Sequence, residues 1–407
     1  MASTESTANE SPAGRTPLSW AVRAGIAYLL LEIGAFAGLQ LLESSLGVEF
    51  DPVSTTQLPA PVLEKLDSLI AGESTYLQHD PALGWSPRPN GSTKLYQANG
   101  QGLRGDREVS IRTDPGVVRI AAFGDSFTHG DDVNNASTWE AQLEPMLKSA
   151  QVLNFGVPAY GVDQAYLRYM EDGKSFRPNV VLIGVMTENL YRGINVWRPY
   201  YKTSYDFPLT KPRFKLVEGR LVLVPNPLAN LKACERLRDD PASLLPQIAE
   251  NDSLFSMQYA ACDFDFFPTI RLGKMLNRKR TLADLSPVDA TGRFKTEHEA
   301  FAVLTATLTA FVAAVREEQA NVMVLLFPNE VLPSGSQQSQ PYEPLKDWLD
   351  EAGIGYMDLQ DGFDRYRADL RDEELFVGQF NHYSPAGNGL VAQALRDQLT
   401  ERGWALR

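Results

Sequence analysis

Cysteine and histidine are scarce in this chain, with two of the first and four of the second among 407 residues. Cys234 and Cys262 stand far apart with no paired histidines, so the spacing of a metal-binding cluster is absent. They would form one disulfide in an exported protein and remain free thiols in a cytoplasmic one. No Gly-rich phosphate loop, no helix with metal ligands at fixed spacing and no internal repeat is present, so no cofactor and no metal is expected. Lys and Arg form no long run, and 51 acidic residues against 38 basic ones give a net charge of −13. That balance argues against a nucleic-acid partner, whose phosphates need a basic face. What is present in quantity is apolar: 43% of the residues are hydrophobic, enough for a substantial core in one large domain or two.

The most informative apolar run is Val117 to Phe123, which ends abruptly at Gly124-Asp125-Ser126. Continuous apolar residues read as a strand buried on both faces, and Gly124 permits a tight exit from it. Thr138 to Ala150 then reads as a helix despite Pro145. A strand–corner–helix junction can present a serine hydroxyl, with unpaired backbone N–H groups nearby to hold an oxyanion. Taken alone, Gly-Asp-Ser is an ordinary turn sequence. Three further blocks raise its significance: Val152 to Gly161, a second strand containing Asn154-Phe155-Gly156; Asn179 to Val185, a third, followed by Met186-Thr187-Glu188-Asn189; and Phe380 to Asn388, which sets His382 just ahead of a helix.

In that order the four blocks resemble the SGNH or GDSL family of serine esterases and acyltransferases. The resemblance implies a three-layer α/β sandwich with a five-stranded parallel, flavodoxin-like sheet. It implies Ser126 as nucleophile and His382 as general base. The backbone N–H of Gly156 and the side-chain amide of Asn189 would join the Ser126 N–H in an oxyanion hole. Members of the family usually carry Asp three residues before the histidine, where this chain has Gln379. A carboxylate beside the imidazole fixes its tautomer and stabilises the imidazolium. The orienting group could be the Gln379 side-chain oxygen, a backbone carbonyl, or a carboxylate such as Asp358. Glu188-Asn189 also stands where the family has Asn followed by Asp, and Asn189 is preferred because a carboxylate would repel the oxyanion. His129 is a rival imidazole, read as a loop residue near the cleft mouth, and His79 and His298 read as surface residues.

The remainder organises around those blocks. Residues 1–18 have the composition of a disordered tail. Residues 19–42 are apolar nearly all round and about long enough to span a bilayer as a transmembrane or signal-anchor helix, although Glu32 is costly there. Arg15 and Arg23, which interrupts the run near its start, precede the main apolar stretch, and Glu43, Glu49 and Asp51 follow it, which favours a catalytic domain outside the cytoplasm, periplasmic or extracellular. A cleaved signal peptide and a helix packed on the domain are the alternatives. Residues 43–116 are a turn-rich lead segment expected to cover a sheet edge. Residues 117–190 and 296–407 make the α/β domain, and 191–295 an insertion whose Tyr191 to Tyr201 stretch suits either packing or gripping a sugar chain. Arg213 to Val224 reads as a hairpin turning at Glu218-Gly219. Thr296 to Ala320 and Tyr342 to Ala352 read as helices, with Val322 to Phe327 and Gly353 to Leu359 as the last two strands. The expected function is an ester hydrolase or O-acyltransferase, an acyl-serine enzyme acting on an acylated small molecule or polysaccharide of the envelope or outside the cell. The alternative is a carbohydrate-binding or assembly protein that keeps the fold without turnover.

Overall fold

The computed structural model describes residues 17–46, 49–328, 341–367, 370–378 and 382–405. Its described helices of ten residues or more are α1 (Pro17–Leu46), α2 (Ala60–Ile70), α3 (Val162–Glu171), α4 (Pro268–Leu285), α5 (Glu299–Glu317) and α6 (Pro385–Glu401). Two compact units are present, Met1–Pro52 with Ala261–Thr281 and Val53–Ala260 with Leu282–Arg407. The first carries α1 and most of α4.

The five apolar runs of the second unit become five parallel strands: β1 (Val118–Phe123), β2 (Ala150–Asn154), β3 (Val180–Met186), β4 (Asn321–Phe327) and β5 (Tyr356–Asp358). Their spatial order is β2-β1-β3-β4-β5. The runs are continuously apolar because both faces are covered, and side chains alternate between two cores. Ala121, Phe123, Val181, Ile183, Val324 and Leu326 face one core, with α3 and α5 against them. Ile120, Ala122, Val180, Leu182, Met323 and Leu325 face the other, which α6 and Trp139 close. This is the three-layer sandwich expected. Ile183 is fully buried, and truncating it to alanine would cost about 2–5 kcal/mol.

Arg119 interrupts the first run without cost to the strand, because its guanidinium is satisfied where it enters the core. Nη1 donates to the carbonyls of Phe176 (2.6 Å) and Ile111 (2.9 Å), Nη2 to Ser110 O (2.7 Å), and Nε to Gln151 Oε1 (2.9 Å). The helix expected over Thr138 to Ala150 is shorter than its sequence suggests. It runs Trp139–Leu143, tightens to a 3₁₀ turn over Glu144–Met146, and Ala150 already belongs to β2. Pro145 disrupts continued α-helix, and the Glu144 carboxylate is diverted to Val152 N (2.7 Å) and Arg107 (2.7 Å). The hairpin forms as expected, Arg213–Val217 with Arg220–Val224, turning through Glu218 and Gly219 at φ 50° and 75°.

The order 2-1-3-4-5 reverses direction between β1 and β3. In open parallel sheets a crevice opens beyond the carboxyl ends of the strands at such a reversal. Ser126 follows β1 and Asn189 follows β3.

Candidate active site

At the end of β1 the chain must turn where no side chain fits. A Cβ on Gly124 would lie 2.2 Å from Thr128 Oγ1 and 3.3 Å from Gly184 Cα. Asp125 then caps the helical turn Ser126–His129, accepting from Phe127 N at 3.0 Å. Its other oxygen receives Asn189 Nδ2 and Arg192 Nη1, both at 3.0 Å. Burial raises the Asp125 pKa, and the Arg192 charge opposes that shift. Ser126 is thereby held on a rigid corner, 6% exposed.

Beyond that turn, Gly130 adopts φ 75° and Asp132 φ 66°, left-handed conformations that glycine and, less often, aspartate tolerate. The bend delivers the Asp132 carboxylate to His382, with Oδ2 2.7 Å from Nδ1. A proton on Nδ1 held by that carboxylate leaves the lone pair on Nε2. The His382 ring lies against Phe127, the residue after Ser126, with centroids 5.3 Å apart. His382 opens the strand His382–Tyr383, which pairs antiparallel with Phe376–Val377. Gly378 follows at φ 73°, and a Cβ there would fall 2.3 Å from Asp132 Oδ2. The empty space at Gly378 is where the carboxylate sits.

The carboxylate paired with His382 therefore comes from the loop that follows Ser126. Asp358 is engaged elsewhere: Oδ1 caps Gln360 N at 3.0 Å and Oδ2 pairs with Lys346 at 3.0 Å, so it is not the partner of His382. Gln379 lies outside the described residues. Asp132 stands six residues after Ser126, in Gly130-Asp131-Asp132, but nothing in that spacing ties it to a histidine 250 positions on.

His129 departs from expectation. It is fully buried rather than at a cleft mouth. Nδ1 pairs with Asp131 and Nε2 meets the Tyr76 hydroxyl at 2.5 Å. Burial pushes its pKa down to about 4 although Asp131 pulls the other way. With both nitrogens engaged inside the protein, it is not placed to act as a base. Tyr76 belongs to the lead segment, and so does Arg104. Arg104 donates from Nη2 to Val133 O (2.8 Å) and from its backbone N to Asn154 O (3.1 Å), at the end of the edge strand β2. The lead segment thus touches the end of that edge strand and braces the loop that carries Asp131 and Asp132.

Gly156 and Asn189 come to the same corner with their donors turned inward. A Cβ on Gly156 would strike His129 N at 2.3 Å, so this glycine packs directly on the helical turn. Its N–H donates to Asn154 Oδ1 at 2.9 Å. Asn189 Nδ2 is shared between Asp125 Oδ2 and Tyr160 O (3.2 Å), while Oδ1 accepts from Met186 N (2.8 Å). Ser126 opens its helical turn, where the first N–H groups have no partner within the helix.

In the stretch after Asn189, Trp197 and Tyr200 are buried and Arg198 nearly so, so these residues pack the insertion. Burial lowers the Arg198 pKa to about 10, with Glu188 opposing. His79 is half-buried, its Nε2 2.6 Å from Leu228 O, and His298 Nδ1 accepts from Ala300 N (3.0 Å) to cap α5. Both cysteines are free thiols, Cys234 buried and Cys262 exposed. Among the described residues no cluster of His, Cys, Asp or Glu could hold a metal ion.

No model of a protein family matches this chain, and no curated protein does. Among solved structures, similarity is found to a putative lipolytic protein of the G-D-S-L family from Desulfitobacterium hafniense DCB-2, 14% identical over 69% of this chain and 98% of that one, TM-score 0.35. An acetylxylan esterase from Geobacillus stearothermophilus, a catalytic mutant, is 14% identical over 73% of this chain and 99% of that one, TM-score 0.37. A lipase/acylhydrolase from Enterococcus faecalis is 11% identical over 70% and 97%, TM-score 0.36. At these scores the likeness carries no argument about this chain, whose site stands on its own geometry.

Proposed function

We propose that this chain is a serine-dependent ester hydrolase or O-acyltransferase working through an acyl-serine, on an acylated carbohydrate of the cell envelope or outside the cell. The observation that carries the reading is the 2.7 Å contact of His382 Nδ1 with Asp132, made with the imidazole against the residue next to Ser126. His382 takes the Ser126 proton at Nε2 as Oγ attacks the ester carbonyl. Asp132 stabilises the imidazolium that forms, and the same proton then goes to the leaving alcohol. The Ser126 N–H serves as one oxyanion donor. Asn189 serves as a second when substrate draws its Nδ2 from Asp125, whose charge Arg192 still holds. Apo catalytic hydrogen bonds often tighten only with substrate bound. Water or a sugar hydroxyl then takes the acyl group.

The apolar helix α1 supports placement at a membrane, and the acidic residues that follow its apolar run favour a site outside the cytoplasm. A second reading, a binding or assembly protein without turnover, is favoured by one observation: the inward hydrogen bonds of Gly156 N and Asn189 Nδ2. Ser126→Ala assayed with 4-nitrophenyl acetate separates the two. The enzyme reading expects a fall in kcat of about a thousandfold or more, and equal rates for variant and parent would end it. Acylated product detected by mass spectrometry after adding an acetylated donor and an oligosaccharide acceptor would indicate transfer, and water as acceptor at every oligosaccharide concentration would remove it.

A further inference from the structure

Between the lead segment and the edge strand β2 lies a cavity of about 910 Å³, a size suited to a small organic ligand. Residues of the lead segment between Thr93 and Val109 form one wall, and the other includes Asn134, Glu140, Glu144 and Asn154. Ser126, Asp132 and His382 are not among its described lining residues, so the catalytic reading does not use it.

Two charged side chains on these walls are buried and incompletely paired. Glu140 is 2% exposed, and neither of its carboxylate oxygens has a hydrogen-bond partner among the described residues, although Thr138 and Asn154 stand beside it. Arg104 is 7% exposed. Its Nη2 is committed to Val133 O at 2.8 Å, while Nε and Nη1 have no partner among the described residues. A buried polar group left unpaired costs about 1–3 kcal/mol, and more when charged. Two such groups of opposite sign on one cavity call for a partner that the chain itself does not supply. Burial pushes the Glu140 carboxyl well above the usual carboxylate range, with its own backbone and the Arg104 charge opposing, and a protonated carboxyl both donates and accepts.

The charges around the cavity balance, Lys94, Arg104 and Arg107 against Asp106, Glu140 and Glu144, with Arg107 and Glu144 paired at 2.7 Å. An anion would serve Arg104 and leave Glu140 unserved or repelled, and a cation would do the reverse. A hydroxyl donates and accepts at once, so it can serve both. The exposed amides of Gln97 and Asn134 add donors and acceptors at the rim, and Leu95, 50% exposed, adds an apolar surface. We propose that this cavity is a second binding site, taking a neutral, hydroxyl-rich ligand of the saccharide class whose hydroxyls bridge Glu140 and Arg104. The site needs no acyl-serine step and stands apart from turnover at Ser126.

The full chain carrying Ser126→Ala, held in a polyoxyethylene alkyl ether that has no sugar head group, is titrated calorimetrically with xylotriose, maltotriose and triacetylchitotriose, and with serine as a zwitterion that could serve both charges. At least one of the sugars should bind, and serine should not. Adding Glu140→Leu should weaken that sugar about tenfold or more. Its melting temperature should stay level or rise, because leucine removes an unpartnered buried acid. Gln97→Ala with Asn134→Ala, confined to exposed side chains, should weaken the sugar severalfold, and this pair decides alone if Glu140→Leu loses its cooperative melt. With Ser126 restored, Glu140→Leu should leave kcat for 4-nitrophenyl acetate within a few-fold of the parent. Binding of none of the sugars, the result for a cavity that holds water only, overturns the proposal. Binding of serine alone, or a sugar affinity unchanged by these substitutions, overturns it as well. A parent without turnover that still passes the binding tests would end the esterase reading and leave this site standing.

Discussion

Two neighbouring aspartates in one loop hold two different imidazoles, and their surroundings give the pairs opposite properties. Asp131 holds His129, whose other nitrogen is bound to Tyr76 in a fully buried site where burial keeps the ring neutral down to about pH 4. Asp132, one residue on, reaches across to His382, which arrives from the far end of the chain and lies against the serine's helical turn. The same side-chain pair thus builds a structural pin on one side of the loop and a candidate base on the other. What differs is the setting of the ring: Nε2 of His129 is held by Tyr76, whereas the His382 ring lies against Phe127, next to Ser126.

That contrast breaks most sharply at the base itself. His382→Gln should lower kcat by about a thousandfold or more at unchanged far-UV circular dichroism, and a fall below tenfold would assign the proton transfer elsewhere. Asp132→Asn should follow, with kcat down about a hundredfold or more and a shifted pH–rate profile, whereas Asp358→Asn should leave both alone. Gly378→Ala comes next, because its Cβ would occupy the position of the Asp132 carboxylate at an unfavourable φ of 73°. It should lower kcat roughly tenfold and leave KM near the parent value.

On the other side of the loop the effect should move from rate to stability. Asp131→Asn should lower unfolding free energy by about 1–3 kcal/mol in urea titrations, with kcat within a few-fold. The pH dependence supplies the smallest test. The folded pKa of His129 lies below its unfolded value, near 6.5, so its contribution is fully present above that pH. It fades as pH falls from there toward about 4, because only the unfolded chain takes up the proton in that window. His129→Gln should flatten the melting temperature across this range relative to the parent, and an unchanged slope would show that His129 does not set it.

The sheet was legible because fully buried parallel strands leave continuous apolar runs, and all five runs found in the sequence are strands. Helix ends were less legible: Pro145 marks a break without fixing where it falls, and the pull of Glu144 toward Val152 and Arg107, seen only in three dimensions, goes with the tightened turn. Ser126 and His382 could be picked out because each sits in a compact block. Asp132 could not be assigned, since its partner lies 250 positions away and its reach depends on left-handed backbone at Gly130 and Asp132. Burial of His129 was equally invisible, being set by Tyr76 in a segment far upstream. The inward hydrogen bonds of Gly156 and Asn189 follow from Asn154, Asp125 and Tyr160, contacts that no linear pattern announces.

The placement of the acid on the serine's loop has a consequence for how this protein can change through mutation. With the Asp132 carboxylate at His382 Nδ1, no carboxylate is needed three residues before the histidine to hold that nitrogen, where the chain has Gln379. The burden passes instead to Asp132 and Gly378, which must change in concert: neither a longer acid at 132 nor any side chain at 378 can be accepted without the other giving way.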